Sequence, residues 1–187
     1  AGMSDLIILQ RAFQKMEMVL EEEWNGRQGD LPLKTRDEAL TLASIVEKET
    51  GKAEERALIA GVFVRRLRIG MKLQTDPTVI YGIGDRFNGN LTVKDLRTPS
   101  AYNTYVIKGL PPTPIALPGR HALHAALNPE NTKALFFVAR GDGSHEFSET
   151  YEQHNRSVTR YQIKGQPKPA PSARPVAGGG KAARTTP

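Results

Sequence analysis

Residues 42–50, LASIVEKET, place two carboxylates two positions apart at the end of an aliphatic run. Seven residues upstream of this stretch, Thr35 is followed three positions later by Glu38, which is the pattern of a capping box. The sequence therefore predicts a helix that begins near Thr35, contains LASIVEKE and ends at Gly51.

The two glutamates of this stretch differ in the direction they face on the predicted helix. At about 100° per residue, Leu42, Ile45 and Val46 centre on a direction close to that of Glu49, while Glu47 points well away from it. Burial against apolar surface raises the pKa of a carboxyl, which suits a general acid. Glu49 is thus the candidate catalytic acid and Glu47 the alternative, with Glu47 expected in solvent or paired with a base. The alternative, which the helix taken alone favours, is that both residues simply form the solvated end of a helix.

The rest of the chain predicts an α+β fold, with helices first and short strands later. Gly- and Pro-rich segments separate the elements, and β-branched residues with frequent Gly, Asn and Asp after Gly70 favour short, mainly antiparallel strands joined by turns. The other predicted elements are helices at 4–24, 53–70, 93–96, 122–127 and 151–161 and a β-hairpin that pairs 135–139 with 145–148.

Charge and composition divide the chain into three parts. Residues 1–34 form a helix and connector that starts with an Ala-Gly-Met cloning remnant, and residues 35–164 form the main domain. Residues 165–187 are a basic tail too poor in apolar residues to fold. The net charge is +6, but the tail holds four basic residues and no acidic one, so the remainder carries only +2. With 6% aromatic residues and no basic–aromatic alternation, a nucleic-acid-binding role is not expected.

No cofactor or metal is expected from the sequence. The chain has no cysteine, which excludes thiolate chemistry, and its histidines lack the spacing of a complete zinc site. His121 and His124 lie one helical turn apart, but no third ligand follows at a suitable distance. No apolar run reaches the ~18 residues that a membrane span requires.

Two polar loops supply candidate substrate-binding residues. Their hydrogen-bonding side chains, set in Pro- and Gly-constrained backbone, suit a sugar-binding cleft. An Asx turn at Asp76 and a rigid loop packed over the core are the structural alternatives. The candidates are Gln74, Thr75, Asp76 and Tyr81 in LQTDPTVIYGIG, and Asn103 and Tyr105 in YNTYVIKGLPP.

Taken in order, several motifs carry a resemblance. LASIVEKET, ERALIAGVFVRRLRIGMKLQTDPTVIYGIG, TPSAYNTYVIKGLPPTPIALPG and ALNPENTKALFFVARGDGSHEFSETYEQHN resemble the catalytic domain of the endolytic murein transglycosylases, the YceG-like family. The resemblance covers roughly residues 40–161. It implies that Glu49, the second Glu of the EKE element, is catalytic, in agreement with the helical wheel.

The resemblance also implies a reaction and a location. Such an enzyme cleaves the bond between N-acetylmuramic acid and N-acetylglucosamine without water and leaves 1,6-anhydro ends. It implies a periplasmic enzyme anchored to the inner membrane by an N-terminal segment absent here, with penicillin-binding synthases as possible partners and peptidoglycan strands as substrate. Glu55 and Arg56 are candidates for orienting Glu49, with a surface ion pair as the alternative. A hydrolytic muramidase and a non-catalytic glycan-binding module remain the competing functions.

Overall fold

A computed structural model describes residues 4–163 of the chain, which form an α+β fold, as predicted. The cloning remnant predicted at 1–3 and the basic tail predicted at 165–187 lie outside the described residues. The elements are α1 (Asp5–Asn25), α2 (Arg36–Glu49), α3 (Arg56–Arg68), α4 (Asp76–Ile83), α5 (Val93–Arg97), α6 (Arg120–Leu127), β1 (Phe136–Ala139), β2 (His145–Ser148) and α7 (Tyr151–Val158). Single turns of 3₁₀-helix at Ala53–Glu55 and Gly84–Arg86 and a π-turn at Thr159–Ile163 complete them.

Helix α2 begins at a side-chain cap and ends at the candidate catalytic residue. The Oγ1 atom of Thr35 accepts a 3.2 Å hydrogen bond from the backbone N–H of Glu38, which satisfies one of the free donors at the start of the helix. The carboxylate of Glu38 accepts the N–H of Lys34 rather than that of Thr35. The predicted capping box is therefore only half formed, and the last helical residue is Glu49.

The hydrophobic core surrounds α2 on several sides. Residues 41–46 are all buried, and α2 packs against α1, α3, α4 and α6. This packing explains why an isolated 14-residue helix, marginal in water, is stable here. The largest fully buried apolar side chains of the core are Leu42, Ile45, Val46, Ile59, Val62, Phe63, Leu73, Leu123 and Leu127.

The short strands predicted after Gly70 are wrong. Residues 71–92 contain α4 and the second 3₁₀ turn instead, while α5 confirms the helix predicted at 93–96. Pro77 occupies the first turn of α4, where a residue without an N–H leaves no hydrogen bond unmade. Gln74 has a positive φ of 50°, which turns the chain out of an extended path directly before the helix. The β-branched residues of this segment pack as the buried face of α4, at Thr78 and Val79.

The predicted hairpin is confirmed. Strands β1 and β2 are antiparallel, with Phe136 opposite Ser148 and Ala139 opposite His145. Helix α7 packs against both strands. The buried guanidinium of Arg66 joins the hairpin to the core, because its Nε donates a 2.6 Å hydrogen bond to the carbonyl of Leu135.

The Pro-rich segment between α5 and α6 contains no regular helix or strand, as expected. It is attached to α2 by Ser44, whose buried Oγ accepts a 2.9 Å hydrogen bond from the N–H of Ile115. Within residues 4–163, no helix combines the length and the apolarity needed to cross a membrane.

Candidate active site

Glu49 lines a cleft between the helical core and the hairpin. The cleft has a volume of about 480 Å³. One wall comes from the end of α2 and the segment that leads into α4, and the other comes from β1, β2 and α7. Its lining includes Glu49, Arg66, Leu73, Gln74, Thr75, Asp76, Tyr105, Phe136, Phe137, Val138, Ala139, His145, Tyr151, His154, Val158 and Gln162.

The carboxyl of Glu49 is held by one direct hydrogen bond. The hydroxyl of Thr75 donates to its Oε1 atom. Burial raises the pKa of Glu49, and the negative charge of Asp76 raises it further, against the opposing effects of the Thr75 hydrogen bond, His145 and Arg66. Glu49 therefore keeps its proton to a higher pH than an exposed glutamate does, as a proton donor requires.

A buried threonine cluster fixes the position of Thr75. The backbone N–H of Thr75 donates a 3.1 Å hydrogen bond to Oγ1 of Thr104, and the Oγ1 atoms of Thr78 and Thr104 are 2.9 Å apart. The hydroxyl of Thr78 also donates to the carbonyl of Thr75 at 2.8 Å. Because all three residues are buried, unmade hydrogen bonds here would be costly, and Thr75 has little freedom to move away from Glu49.

Asp76 and Tyr105 form a second polar pair in the same wall. The hydroxyl of Tyr105 donates a 2.6 Å hydrogen bond to Oδ1 of Asp76. Burial, reinforced by this hydrogen bond, raises the pKa of Tyr105, so the phenol stays neutral and remains a donor. Asp76 is exposed to the cleft, which leaves its carboxylate available to a bound cation or to a positively charged reaction centre.

The structure brings five of the predicted residues into the cleft, namely Glu49, Gln74, Thr75, Asp76 and Tyr105. Tyr81 lies outside it, with its ring 4.9 Å from that of Tyr102. Asn103 is buried and also lies outside the cleft. Its amide nitrogen donates to the carbonyls of Asp95, Leu96 and Thr98, which ties the loop to the end of α5.

Glu47, the alternative catalytic residue, lies outside the cleft on the opposite side of α2. Its Oε2 accepts a 3.0 Å hydrogen bond from the N–H of Gly119, the residue that precedes α6. Glu47 is partly exposed to solvent, and the described partner of its carboxylate is a backbone N–H rather than a basic side chain. Its carboxylate caps the beginning of a helix, where negative charge is favourable.

In the part of the chain that the structure describes, neither Glu55 nor Arg56 makes a hydrogen bond or salt bridge to Glu49, and they do not pair with each other. Both oxygens of Glu55 accept hydrogen bonds from His145, a residue of the opposite wall. Arg56 reaches the carbonyl of Gly51 at 3.4 Å instead. The structure therefore links Glu55 to the cleft through His145.

The chain is similar in sequence to known bacterial proteins. The model of the YceG-like family matches residues 1–160. The chain belongs to the YceG-like family. An endolytic murein transglycosylase of Bacillus subtilis is 43% identical over 122 residues, which are 65% of this chain and 34% of that protein. One of Streptococcus pneumoniae is 36% identical over 133 residues, 68% of this chain and 24% of that protein.

A YceG-like protein of known structure is also similar. The crystal structure of a YceG-like protein from Listeria monocytogenes matches with a TM-score of 0.61 at 45% sequence identity, over 65% of this chain and 39% of that one. The chain thus spans about a quarter to a third of the length of the curated relatives above.

The far wall of this YceG-like cleft was largely missed from the sequence. It carries an aromatic group in which Phe136 lies 5.2 Å from the stacked ring of His154 and 5.9 Å from Tyr151. The guanidinium of Arg66 lies 5.3 Å from the centre of Phe136, and burial lowers the pKa of Arg66 to about 10. The sequence signal that pointed to this wall was Arg66, a charged residue directly beside the apolar stripe of α3, where a buried charge usually has a specific partner or role.

Proposed function

We propose that this chain carries the catalytic site of an endolytic lytic transglycosylase that acts on peptidoglycan glycan strands. Family membership and the names of the curated relatives support the reaction class. The observation that carries the proposal is that the carboxyl of Glu49 has a raised pKa and lines a cleft together with polar and aromatic side chains.

Glu49 has two tasks in the proposed reaction. Its protonated carboxyl donates to the glycosidic oxygen between N-acetylmuramic acid and N-acetylglucosamine, and the bond from that oxygen to the muramyl C1 breaks. The resulting carboxylate then accepts the proton of the muramyl C6 hydroxyl, whose oxygen forms a bond to C1. The product is a 1,6-anhydro sugar, no water is consumed, and Glu49 ends protonated again.

Asp76 is placed to assist this reaction by charge. Positive charge develops at C1 as the glycosidic bond breaks, and a carboxylate nearby stabilises that charge most when it is greatest. Tyr105 holds Asp76 through their 2.6 Å hydrogen bond. Thr75, fixed by the threonine cluster, holds Glu49 in the same way.

A hydrolytic muramidase is the second candidate, and the presence of Asp76 favours it. Hydrolysing glycosidases use two carboxyl groups, one as acid and one as base or nucleophile, and Glu49 and Asp76 line the same cleft. The names of the relatives favour the transglycosylase over this alternative.

Product analysis tests the proposal. Purified, uncrosslinked glycan strands are incubated with the wild-type chain and with Glu49→Gln, and the products are analysed by mass spectrometry. We expect anhydro-muramyl ends from the wild type and none from Glu49→Gln. Products heavier by one water would identify a hydrolase instead. Intact strands that nonetheless bind the wild-type chain would identify a non-catalytic binding module.

The location and partners belong to the same proposal. A periplasmic position at the inner membrane and cooperation with penicillin-binding synthases rest on the family resemblance alone. Both concern a longer protein, because the chain covers only part of its relatives.

A further inference from the structure

The carboxylate of Glu55 makes both of its described hydrogen bonds to one residue on the far wall of the cleft. Its Oε1 accepts the backbone N–H of His145 at 2.9 Å, and its Oε2 lies 2.7 Å from Nδ1 of the same residue. The two side chains are only 13% and 11% exposed. A residue at the start of α3 thereby fixes both the backbone and the ring at the beginning of β2.

This contact determines the tautomer of the His145 ring. Burial of Glu55 favours its neutral form, but the hydrogen bonds from His145 outweigh burial and lower the pKa of Glu55. An ionised carboxylate only accepts hydrogen bonds, so Nδ1 carries the hydrogen. In a neutral imidazole of this tautomer, Nε2 is left with a free lone pair.

The Nε2 atom of His145 has no hydrogen-bond partner in the part of the chain that the structure describes. The ring lines the cleft and is held on its other sides by apolar neighbours. Phe137 lies 5.4 Å away edge-on, and Phe147 lies 6.3 Å away. His145 and Glu49 line the same cleft.

We propose that His145 binds the glycan directly, by accepting at Nε2 a hydrogen bond from a hydroxyl or acetamido N–H group of an amino sugar. Glu55 is then a positioning residue that holds the imidazole in the tautomer able to accept. The inference rests on the proposed function, since it assigns a substrate contact within the same cleft. It assigns one sugar-binding group to the cleft that Glu49 also lines.

The alternative is that Glu55 and His145 only fasten the hairpin to the core. Two substitutions of His145 separate the two roles. In His145→Asn the amide nitrogen takes the place of Nδ1 and donates to Glu55, while nothing replaces Nε2. In His145→Gln the longer amide reaches the place of Nε2. A fastening role therefore predicts that Asn is the better replacement, and a glycan contact predicts that Gln is.

Binding is measured by calorimetry on the full chain with Glu49→Gln, which prevents cleavage during the titration. The ligand is a purified oligosaccharide of alternating N-acetylglucosamine and N-acetylmuramic acid. We expect His145→Asn to raise Kd about tenfold, the effect of one lost hydrogen bond, and His145→Gln to restore part of the affinity. His121→Asn, an exposed histidine of α6, is the matched control and should leave Kd unchanged. An unchanged Kd in His145→Asn would overturn the proposal.

A second measurement keeps His145 unchanged, so it can be made even if the His145 variants fold poorly. Nitrogen-15 NMR of the histidine rings in the Glu49→Gln chain should show His145 with its hydrogen on Nδ1, and its Nε2 signal should shift as the oligosaccharide is added. No shift at saturating ligand would reject the contact. Cleavage by the wild-type chain is assayed separately. If the wild-type chain does not cleave glycan but the Nε2 signal still shifts, the proposed transglycosylase activity is rejected while the proposed contact of His145 with the sugar stands.

Discussion

Asp76 accepts a 2.6 Å hydrogen bond from Tyr105 while its negative charge raises the pKa of Glu49. The pKa of Glu49, the proposed catalytic acid, is thus raised mainly by burial and partly by a charge that can be removed. In Asp76→Asn we expect the pKa of Glu49 to fall. Because the acid works in its protonated form, the alkaline limb of the pH–rate profile should move to lower pH.

The pH–rate profile is measured by the release of anhydro ends. Because Asp76→Asn should also lower the maximal rate, the pH at which the alkaline limb falls is compared, and not the rate itself. Asp85→Asn removes an exposed carboxylate from the 3₁₀ turn outside the cleft and should leave the limb in place. A limb that moves to higher pH in Asp76→Asn would contradict the charge effect.

Glu49 should make stability depend on pH. Its folded-state pKa is raised above the unfolded value, so the stability that it contributes is fully present below the unfolded pKa. That stability is lost as pH rises through the folded pKa. Glu49→Gln cannot ionise and should therefore gain stability relative to the wild type as pH rises, measured by urea unfolding between about pH 4 and pH 8. Glu54→Gln, at an exposed position, should show no such gain.

Asn103 should prove structural rather than catalytic. Its amide donates to three backbone carbonyls, and its Oδ1 accepts the N–H of Tyr105 at 3.0 Å. Asn103→Ala leaves these groups without partners and should lower the free energy of unfolding by about 2–4 kcal/mol. Asn90→Ala, at an exposed turn, should change it by less than about 0.5 kcal/mol. A full loss of cleavage without loss of stability in Asn103→Ala would refute this view.

Gly61 marks a close approach between α3 and the segment after α6. A Cβ atom at this position would lie 2.3 Å from the carbonyl oxygen of Glu130 and 3.1 Å from Cγ2 of Thr132. Gly61→Ala should therefore force the backbones apart and cost about 1–3 kcal/mol in thermal or urea unfolding. Gly29→Ala meets nothing within 4 Å and should cost less than half as much. Equal stability of the two variants would show that the segment containing Glu130 and Thr132 can move away from α3 at little energetic cost.

Tyr151 should contribute to substrate affinity. It is 66% exposed, yet it lines the cleft and packs with Phe136 and His154, which gives a flat apolar surface for a sugar ring. We expect Tyr151→Ala to raise KM for glycan strands by up to about tenfold with a smaller change in kcat. Tyr81→Ala, outside the cleft, should leave KM unchanged, and a matching rise there would point to a general loss of folding.

Local patterns in the sequence predicted α2, the hairpin and the inward direction of Glu49, because each depends on periodicity over a few neighbouring residues. They failed at α4, where β-branched residues suggested strands and the helix-starting position of Pro77 was overlooked. They also could not show that the carboxylate of Glu55 accepts hydrogen bonds from His145. That contact joins residues 90 positions apart, and nothing in either local segment specifies the other.

Helix α2 carries Glu49 on its final residue and is buried on nearly every side along residues 41–46. Its rotational phase is therefore set by the core, and no flexible loop remains to correct the direction of the carboxyl. One residue inserted between Leu42 and Glu49 would swing that carboxyl by about 100° and advance it by about 1.5 Å. The number of residues in this interval therefore fixes where the proposed catalytic carboxyl points, so insertions and deletions here should be tolerated less than most substitutions.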